Sequence, residues 1–218
     1  MNRPRICASI VDSDLTAVKE IQPLVDLFEV RIDLIGDGWP EVARKLNKPW
    51  IACNRLATEG GGWQKDEASR IDTLLKATEL GAEIVDIELR TKGLADVVAL
   101  IKKKAKCLVS SHDLTQTLPL ENLKEIIERQ LAAGADICKV VTTANSFNDN
   151  LIVLQLIKAF SKARIVSFTM GSLGTISRVL CPLVDGYFTY ASIEEGKESA
   201  AGQITVKELR QLYEMVKP

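Results

Sequence analysis

Two residues of this chain have side chains suited to covalent chemistry and a local setting that favours it. Lys139 lies in the run Ala135-Asp136-Ile137-Cys138-Lys139-Val140-Val141, which reads as a short buried strand carrying one unpaired lysine. Burial disfavours an ammonium, so the amine is expected to have a pKa lowered toward neutrality and to be free to act as a nucleophile on a carbonyl, giving an imine. His112, the only histidine, stands in Ser110-Ser111-His112-Asp113. An imine acidifies the adjacent C–H bond, and a histidine within reach could remove that proton. Both residues also have ordinary readings. A strand-end lysine can snorkel to solvent or pair with a carboxylate, and a lone histidine can be a structural hydrogen-bonding residue.

Glu59 opens Glu59-Gly60-Gly61-Gly62 and is a candidate to orient His112 and raise its basicity, as a third group does in other catalytic constellations. No Gly-Lys-Ser/Thr follows these glycines, so they are read as a flexible or tight connection and not as a nucleotide loop. The planar fork of Arg178 matches a substrate carboxylate bidentately, although a surface position is the ordinary alternative.

The elements that must position these residues follow a regular alternation. Apolar runs occur at Ile6 to Val11, Leu27 to Ile32, Trp50 to Cys53, Ile84 to Leu89, Cys107 to Ser110, Ile137 to Val141, Ile165 to Phe168 and Val184 to Tyr190. Between them lie helical faces: Leu15, Val18 and Ile21; Ile71, Leu74, Leu75 and Leu80; Leu94, Val97, Val98 and Ile101; Leu123, Ile126, Ile127 and Leu131; Leu151, Leu154, Ile157 and Phe160. Gly81 and Gly134 fall where helices should stop, and Thr205 with Glu208 has capping-box spacing at the start of a last helix. Eight strand and helix units of roughly 25–30 residues fill the chain, which favours one (β/α)8 TIM barrel over residues 1–218 rather than a doubly wound sheet. In such a barrel the outer strand faces pack on helices, so the alternating charges Glu29, Arg31, Asp86 and Glu88 are expected to point into the lumen or its mouth. An antiparallel sheet would instead put them on a solvated face. The mouth at the C-terminal strand ends is where Lys139 is expected, with His112 just past the end of the adjacent strand. Ser192 to Gly202, rich in Glu, Lys, Ser, Ala and Gly, reads as a mobile loop over that mouth.

Composition narrows the partners. In 218 residues the formal charge is −1, with 46% hydrophobic and 26% charged residues. There is no basic surface for nucleic acid and no dense cationic run for a membrane, which leaves a small molecule as the expected partner. The run from Ile6 to Val11 is broken by Ser9 and too short for a signal or a span, so a cytoplasmic location is expected. The five cysteines form no CxxC pair, and neither zinc nor disulfides are implied.

Eight pieces in register carry a resemblance to a known family: Cys7-Ala8-Ser9-Ile10, Glu29-Val30-Arg31-Ile32-Asp33, Arg55 with Glu59-Gly60-Gly61, Asp86-Ile87-Glu88, Ser111-His112-Asp113 with Gln116-Thr117, Ala135 to Lys139, Met170-Gly171 with Ser177-Arg178, and Ser199-Ala200-Ala201-Gly202-Gln203. Over essentially its full length the chain resembles the type I 3-dehydroquinate dehydratases, Schiff-base enzymes of the shikimate pathway. The resemblance implies dehydration of 3-dehydroquinate to 3-dehydroshikimate without metal or organic cofactor. Lys139 matches the imine-forming lysine, His112 the general base and acid, and Glu59 the partner of that histidine. Arg178, Ser199 and Gln203 match carboxylate-binding and lid residues, while Glu29, Arg31 and Arg55 match the set around the ring hydroxyls. Ser9 is expected at the same mouth and Glu88 near Lys139. Ala201 stands where many relatives have proline, which implies a less rigid lid; Asn54 and Cys138 are further departures. Relatives are commonly homodimers, so a homodimer is expected. Two other readings stay open on the residues alone: a class I aldolase acting on sugar phosphates, with Gly171 to Gly174 as a faint phosphate loop, and a catalytically inactive barrel used as a binding module.

Overall fold

The protein is described by a computed structural model covering residues 3–216. Its strands are β1 (Ile6–Ile10), β2 (Leu27–Arg31), β3 (Trp50–Cys53), β4 (Ile84–Glu88), β5 (Lys106–His112), β6 (Ile137–Thr143), β7 (Ile165–Met170) and β8 (Thr189–Ser192). All pairings are parallel, in the order β7-β6-β5-β4-β3-β2-β1-β8. The remaining seam is drawn together at its lower end, where the Tyr187 amide donates to the Ile165 carbonyl at 2.7 Å. The result is a nearly closed (β/α)8 barrel. The helices are α1 (Thr16–Ile21), α2 (Ile32–Ile35), α3 (Trp39–Arg44), α4 (Glu67–Glu79), α5 (Leu94–Ile101), α6 (Leu120–Ala132), α7 (Asn148–Ala159), α8 (Thr175–Leu180) and α9 (Val206–Met215). Among the described residues no helix is long and apolar enough to cross a membrane.

Strand alternation divides the core. Phe28, Val30, Ala52, Val85 and Ile87 face outward and pack with helix residues such as Val18, Val42, Leu74 and Val98. Cys7, Leu27, Ile51, Ile84, Leu108 and Ile137 fill the lower lumen. Above that apolar floor the inward positions become polar: Glu29 and Arg31 on β2, Asp86 and Glu88 on β4, Ser110 and His112 on β5, and Lys139 on β6, all of them buried or nearly so. The expectation for the alternating charges therefore holds. Both arms of the capping box before α9 are also present, with Glu208 N donating to Thr205 Oγ1 at 3.2 Å and Thr205 N to Glu208 Oε2 at 2.8 Å.

Three boundaries differ from expectation in ways that move functional residues. β5 runs to His112, which is its last residue and not a loop residue beyond it. β6 runs to Thr143, so Lys139 is its third residue and rises from within the lumen rather than from the strand end. The eighth strand starts at Thr189, because Cys181–Val184 form a helical turn and Asp185 takes a left-handed φ of 72° before the chain turns. The buried face of α7 is Asn150, Val153, Leu156 and Ile157, while Leu151 is 50% exposed. Of the expected face, Ile157 is buried and Leu154 and Phe160 pack against the core. Periodicity thus located the inner side of the helix but centred it one residue off, including Leu151 and missing Val153 and Leu156.

Candidate active site

A cavity of about 230 Å³ opens at the C-terminal end of the barrel. It is lined by Glu29, Arg31, Cys53, Arg55, Glu59, His112, Lys139, Phe168, Arg178 and Tyr190, and by Ser199, Ala200, Ala201 and Gln203 from the loop after β8. Register explains how the amine and the imidazole meet there. Ser110 of β5 pairs with Lys139 of β6, so His112 stands two residues further along the adjacent strand and on the same face. With ~3.3 Å of rise per residue and ~4.8 Å between strands, their Cα atoms lie about 8 Å apart and both side chains enter one space.

Lys139 is not unpaired. Its Nζ donates to Asp86 Oδ2 at 3.0 Å and to the Tyr190 hydroxyl at 3.3 Å, and lies 3.7 Å from Glu29 Oε1 and 4.3 Å from the centre of the Tyr190 ring. The pair is buried, and Lys139 lines the cavity. Asp86 in turn takes a guanidinium nitrogen of Arg55 at 2.6 Å and the Ser110 hydroxyl at 2.6 Å. Burial alone would raise the Asp86 pKa, but Arg55 and then Lys139 outweigh it and hold the carboxyl well below the usual carboxylate range. The expected neighbour of Lys139, Glu88, is engaged elsewhere. It accepts from Arg55 at 2.9 Å, from Arg70 of α4 and from the Leu56 amide at 3.2 Å. Glu88 thus links the cavity wall to the outer helix layer.

Glu59 is brought under His112 by a turn made possible by Gly61. A Cβ on Gly61 would lie 2.1 Å from the Arg55 carbonyl oxygen, so only glycine lets the chain fold back this closely. Glu59 Oε2 accepts from both the ring and the backbone of His112, with Nδ1 at 2.9 Å and N at 3.2 Å. That contact makes Nδ1 the protonated nitrogen and leaves Nε2 with its lone pair. Burial pushes the Glu59 carboxyl up to about 7, with Glu88 and Asp86 adding to the effect and Arg55 and Arg90 opposing it. Burial also holds His112 well below its ordinary value, and the nearby cations Arg55 and Lys139 act in the same direction. A neutral imidazole is a base in waiting.

The three arginines lining the cavity differ in charge compensation. Arg31 forks onto Asp33, with nitrogen to oxygen distances of 3.0 and 2.6 Å, and Arg55 bridges Asp86 and Glu88. Arg178 is fully buried and stacks 4.3 Å over the Phe168 ring. Its Nη2 reaches only the Ala201 carbonyl at 3.5 Å, its Nε has no hydrogen-bond partner, and it pairs with no carboxylate among the described residues. Burial lowers its pKa to about 10. A desolvated cation with unused donors is suited to an incoming anion.

The remaining predicted residues divide between wall and support. Gln203 accepts from the Ser199 amide at 2.8 Å and hydroxyl at 3.2 Å, fixing the two relative to each other in the rim. That loop is fastened in this conformation: the Gly171 amide donates to the Ala201 carbonyl and the Thr175 hydroxyl to the Gly202 carbonyl, each at 3.1 Å, and Lys197 pairs with Asp12. A Cβ on Gly202 would lie 2.2 Å from the Gly171 oxygen, which requires glycine there. Ser9 does not line the cavity; fully buried beneath it, Ser9 donates to Glu29 Oε2 at 3.0 Å. In the Gly171 to Gly174 stretch the amides of the two glycines are spent on the Ala201 and Gly171 carbonyls and are not free for a phosphate. Glu29, Cys53 and Asp86 bring ligand atoms within 4.8 Å of one another, but Lys139 and Arg55 already supply the positive charge in that space.

Fold and cavity place the chain among the (β/α)8-barrel enzymes. The type I 3-dehydroquinase family matches residues 6–218. A 3-dehydroquinate dehydratase of Dehalococcoides mccartyi is 41% identical over 216 residues, covering 99% of this chain and 97% of its own, and one of Methanococcus maripaludis is 34% identical over 219 residues, covering 97% and 99%. The crystal structure of 3-dehydroquinate dehydratase from Geobacillus kaustophilus superposes with a TM-score of 0.87 at 26% identity, covering 99% of this chain and 91% of that one. The chain belongs to the type I 3-dehydroquinase family, the 3-dehydroquinate dehydratases of the shikimate pathway.

Asp86 and Tyr190 are the site residues that the sequence reading did not single out for roles. Inward alternation on β4 already put Asp86 in the lumen, and the same period applied to β8 from its true start would have found Tyr190.

Proposed function

We propose that this chain dehydrates 3-dehydroquinate to 3-dehydroshikimate through an imine on Lys139, with His112 moving the proton. The Lys139 amine, its ammonium proton passed to the carbonyl oxygen, attacks the C3 carbonyl, and loss of that oxygen as water gives the protonated imine. His112 Nε2 takes a proton from C2 and the protonated imine nitrogen accepts the electron pair, giving an enamine. That pair then returns to restore the imine while the C2 electrons form the C1=C2 bond and the C1 hydroxyl departs as water with the proton His112 holds. Hydrolysis of the imine frees the product and restores the amine. Glu59 keeps Nδ1 protonated and steadies the imidazolium, Arg178 takes the substrate carboxylate, and Glu29, Arg31 and Arg55 face the ring hydroxyls with Ser199 and Gln203 closing over them. Asp86 and Tyr190 aim the amine.

The observation that carries this reading is that one small cavity receives the Lys139 amine, the imidazole backed by Glu59 and an uncompensated guanidinium. The deciding experiment is borohydride reduction in the presence of 3-dehydroquinate. The ligand mass is expected on the peptide containing Lys139 and absent in Lys139→Met. Trapping at another lysine, or an active preparation that never traps, would overturn the assignment. The reading includes a homodimer, for which light scattering should give twice the 24.0 kDa of the chain.

A further inference from the structure

Arg90 lies just beyond β4, outside the substrate cavity, with its side chain 55% exposed. Its Nε sits 2.7 Å from Glu59 Oε1, the oxygen that His112 does not use. The two oxygens of Glu59 are therefore divided, one to the imidazole and its own backbone amide, the other to Arg90. Arg90, Thr58, Ser111 and Asp113 also line a second cavity of about 460 Å³, which shares His112 with the substrate space.

We propose that Arg90 is a positioning residue for the dehydration: by occupying Oε1 it keeps Glu59 an ionised carboxylate aimed at Nδ1, and so keeps His112 Nε2 available to the substrate. This rests on the acid–base role proposed for His112. The charged and titratable groups that act on Glu59 are Arg55 and Arg90, which favour its ionisation, Glu88 and Asp86, which oppose it, and His112, to which it is bonded. Arg55 is already shared between Asp86 and Glu88, whereas among the described residues Arg90 pairs with Glu59 and with no other carboxylate. With the Glu59 carboxyl standing at about 7, losing that cation moves it further up, and a larger fraction is protonated at neutral pH. Glu59 and His112 then titrate as a linked pair.

The test is the pH profile of kcat for Arg90→Ala, Arg90→Lys and Glu59→Gln. Arg90→Ala should shift the acid limb up by about half a pH unit, the size of a partly exposed pair, and lower kcat near neutrality about two- to threefold. KM should stay put, because Arg90 does not touch the substrate space. Arg90→Lys, which keeps the charge, should return the limb most of the way. An acid limb unmoved in Arg90→Ala, while Glu59→Gln loses turnover, overturns the role of Arg90 and leaves the acid–base reading standing. If Glu59→Gln also keeps the parent's kcat and profile, that reading fails and this inference with it.

Discussion

Replacing Arg178 by methionine is expected to stabilise the unliganded protein while disabling it. A guanidinium held at about 10 against an ordinary 12.5 costs the folded state about 3 kcal/mol at ~1.36 kcal/mol per pH unit. The sign follows from its being a base with a depressed folded value: the cost is present in full below pH 10 and fades only as pH rises toward 12.5. Methionine is of similar length and removes that cost. It also forfeits the stacking on Phe168, worth roughly 1–2 kcal/mol in a desolvated setting, and a long hydrogen bond to Ala201 that contributes little. The balance is a gain of about 1–2 kcal/mol, or roughly 3–6 °C in Tm for a chain of this size. Turnover should move the other way. Truncating one partner of a buried charged contact costs ~2–5 kcal/mol, which is about 30-fold to several-thousand-fold in kcat/KM. Scanning calorimetry without ligand at pH 7, together with initial rates followed by the ultraviolet absorbance of the conjugated enone product, measures both. A variant that melts below the parent refutes the uncompensated charge, and one that keeps kcat/KM within threefold refutes the carboxylate clamp.

Three further substitutions separate chemistry from architecture. His112→Ala should still be trapped by borohydride at Lys139, but its kcat should fall by ~10²–10⁴; a parent-like kcat removes His112 from the mechanism. Arg70→Ala should destabilise by ~3–5 kcal/mol in urea unfolding, because it strips a partner from Glu88 at a fully buried position, and a loss under ~1 kcal/mol would show the network to be redundant. Thr205→Ala removes the capping-box acceptor of α9, whose Val206, Leu209 and Tyr213 are in the core; about 1 kcal/mol of stability should go while the kcat/KM of the parent is kept.

The legible part of this site was the part that follows from a period of two. Once the runs are parallel strands sheathed in helices, Glu29, Arg31, Asp86, Glu88 and Lys139 must face inward, and the barrel end that holds them is settled by chain direction. Period gives the face but not the company. Glu88 is level with Ser110 and Lys139 across the sheet, yet its carboxylate turns to Arg55 and Arg70, while Asp86, one inward step lower, meets the amine. Which carboxylate takes which cation depends on strand stagger and side-chain reach, neither of which is written locally. Arg178 shows the opposite failure: in the six-residue helix α8 nothing in sequence distinguishes a surface arginine from a buried one, and only the packing of that helix over Phe168 does so.

Charge pairing then decides what the cavity asks of its ligand. Lys139, Asp86, Arg55, Glu88, Arg70 and Glu67 form a chain of alternating sign from the lumen to the helix layer, and each inner member touches two opposite charges. Such a chain offsets the desolvation that would make any one of these ions prohibitive alone. It also spends their capacity, as Asp33 spends that of Arg31. Arg178 stands outside the chain. A carboxylate entering the cavity therefore finds one guanidinium that has lost its water without gaining a counterion, and binding there supplies what folding left out. In the proposed mechanism the substrate accordingly enters with its carboxylate end toward Arg178 and its carbonyl toward the amine that Asp86 and Tyr190 hold.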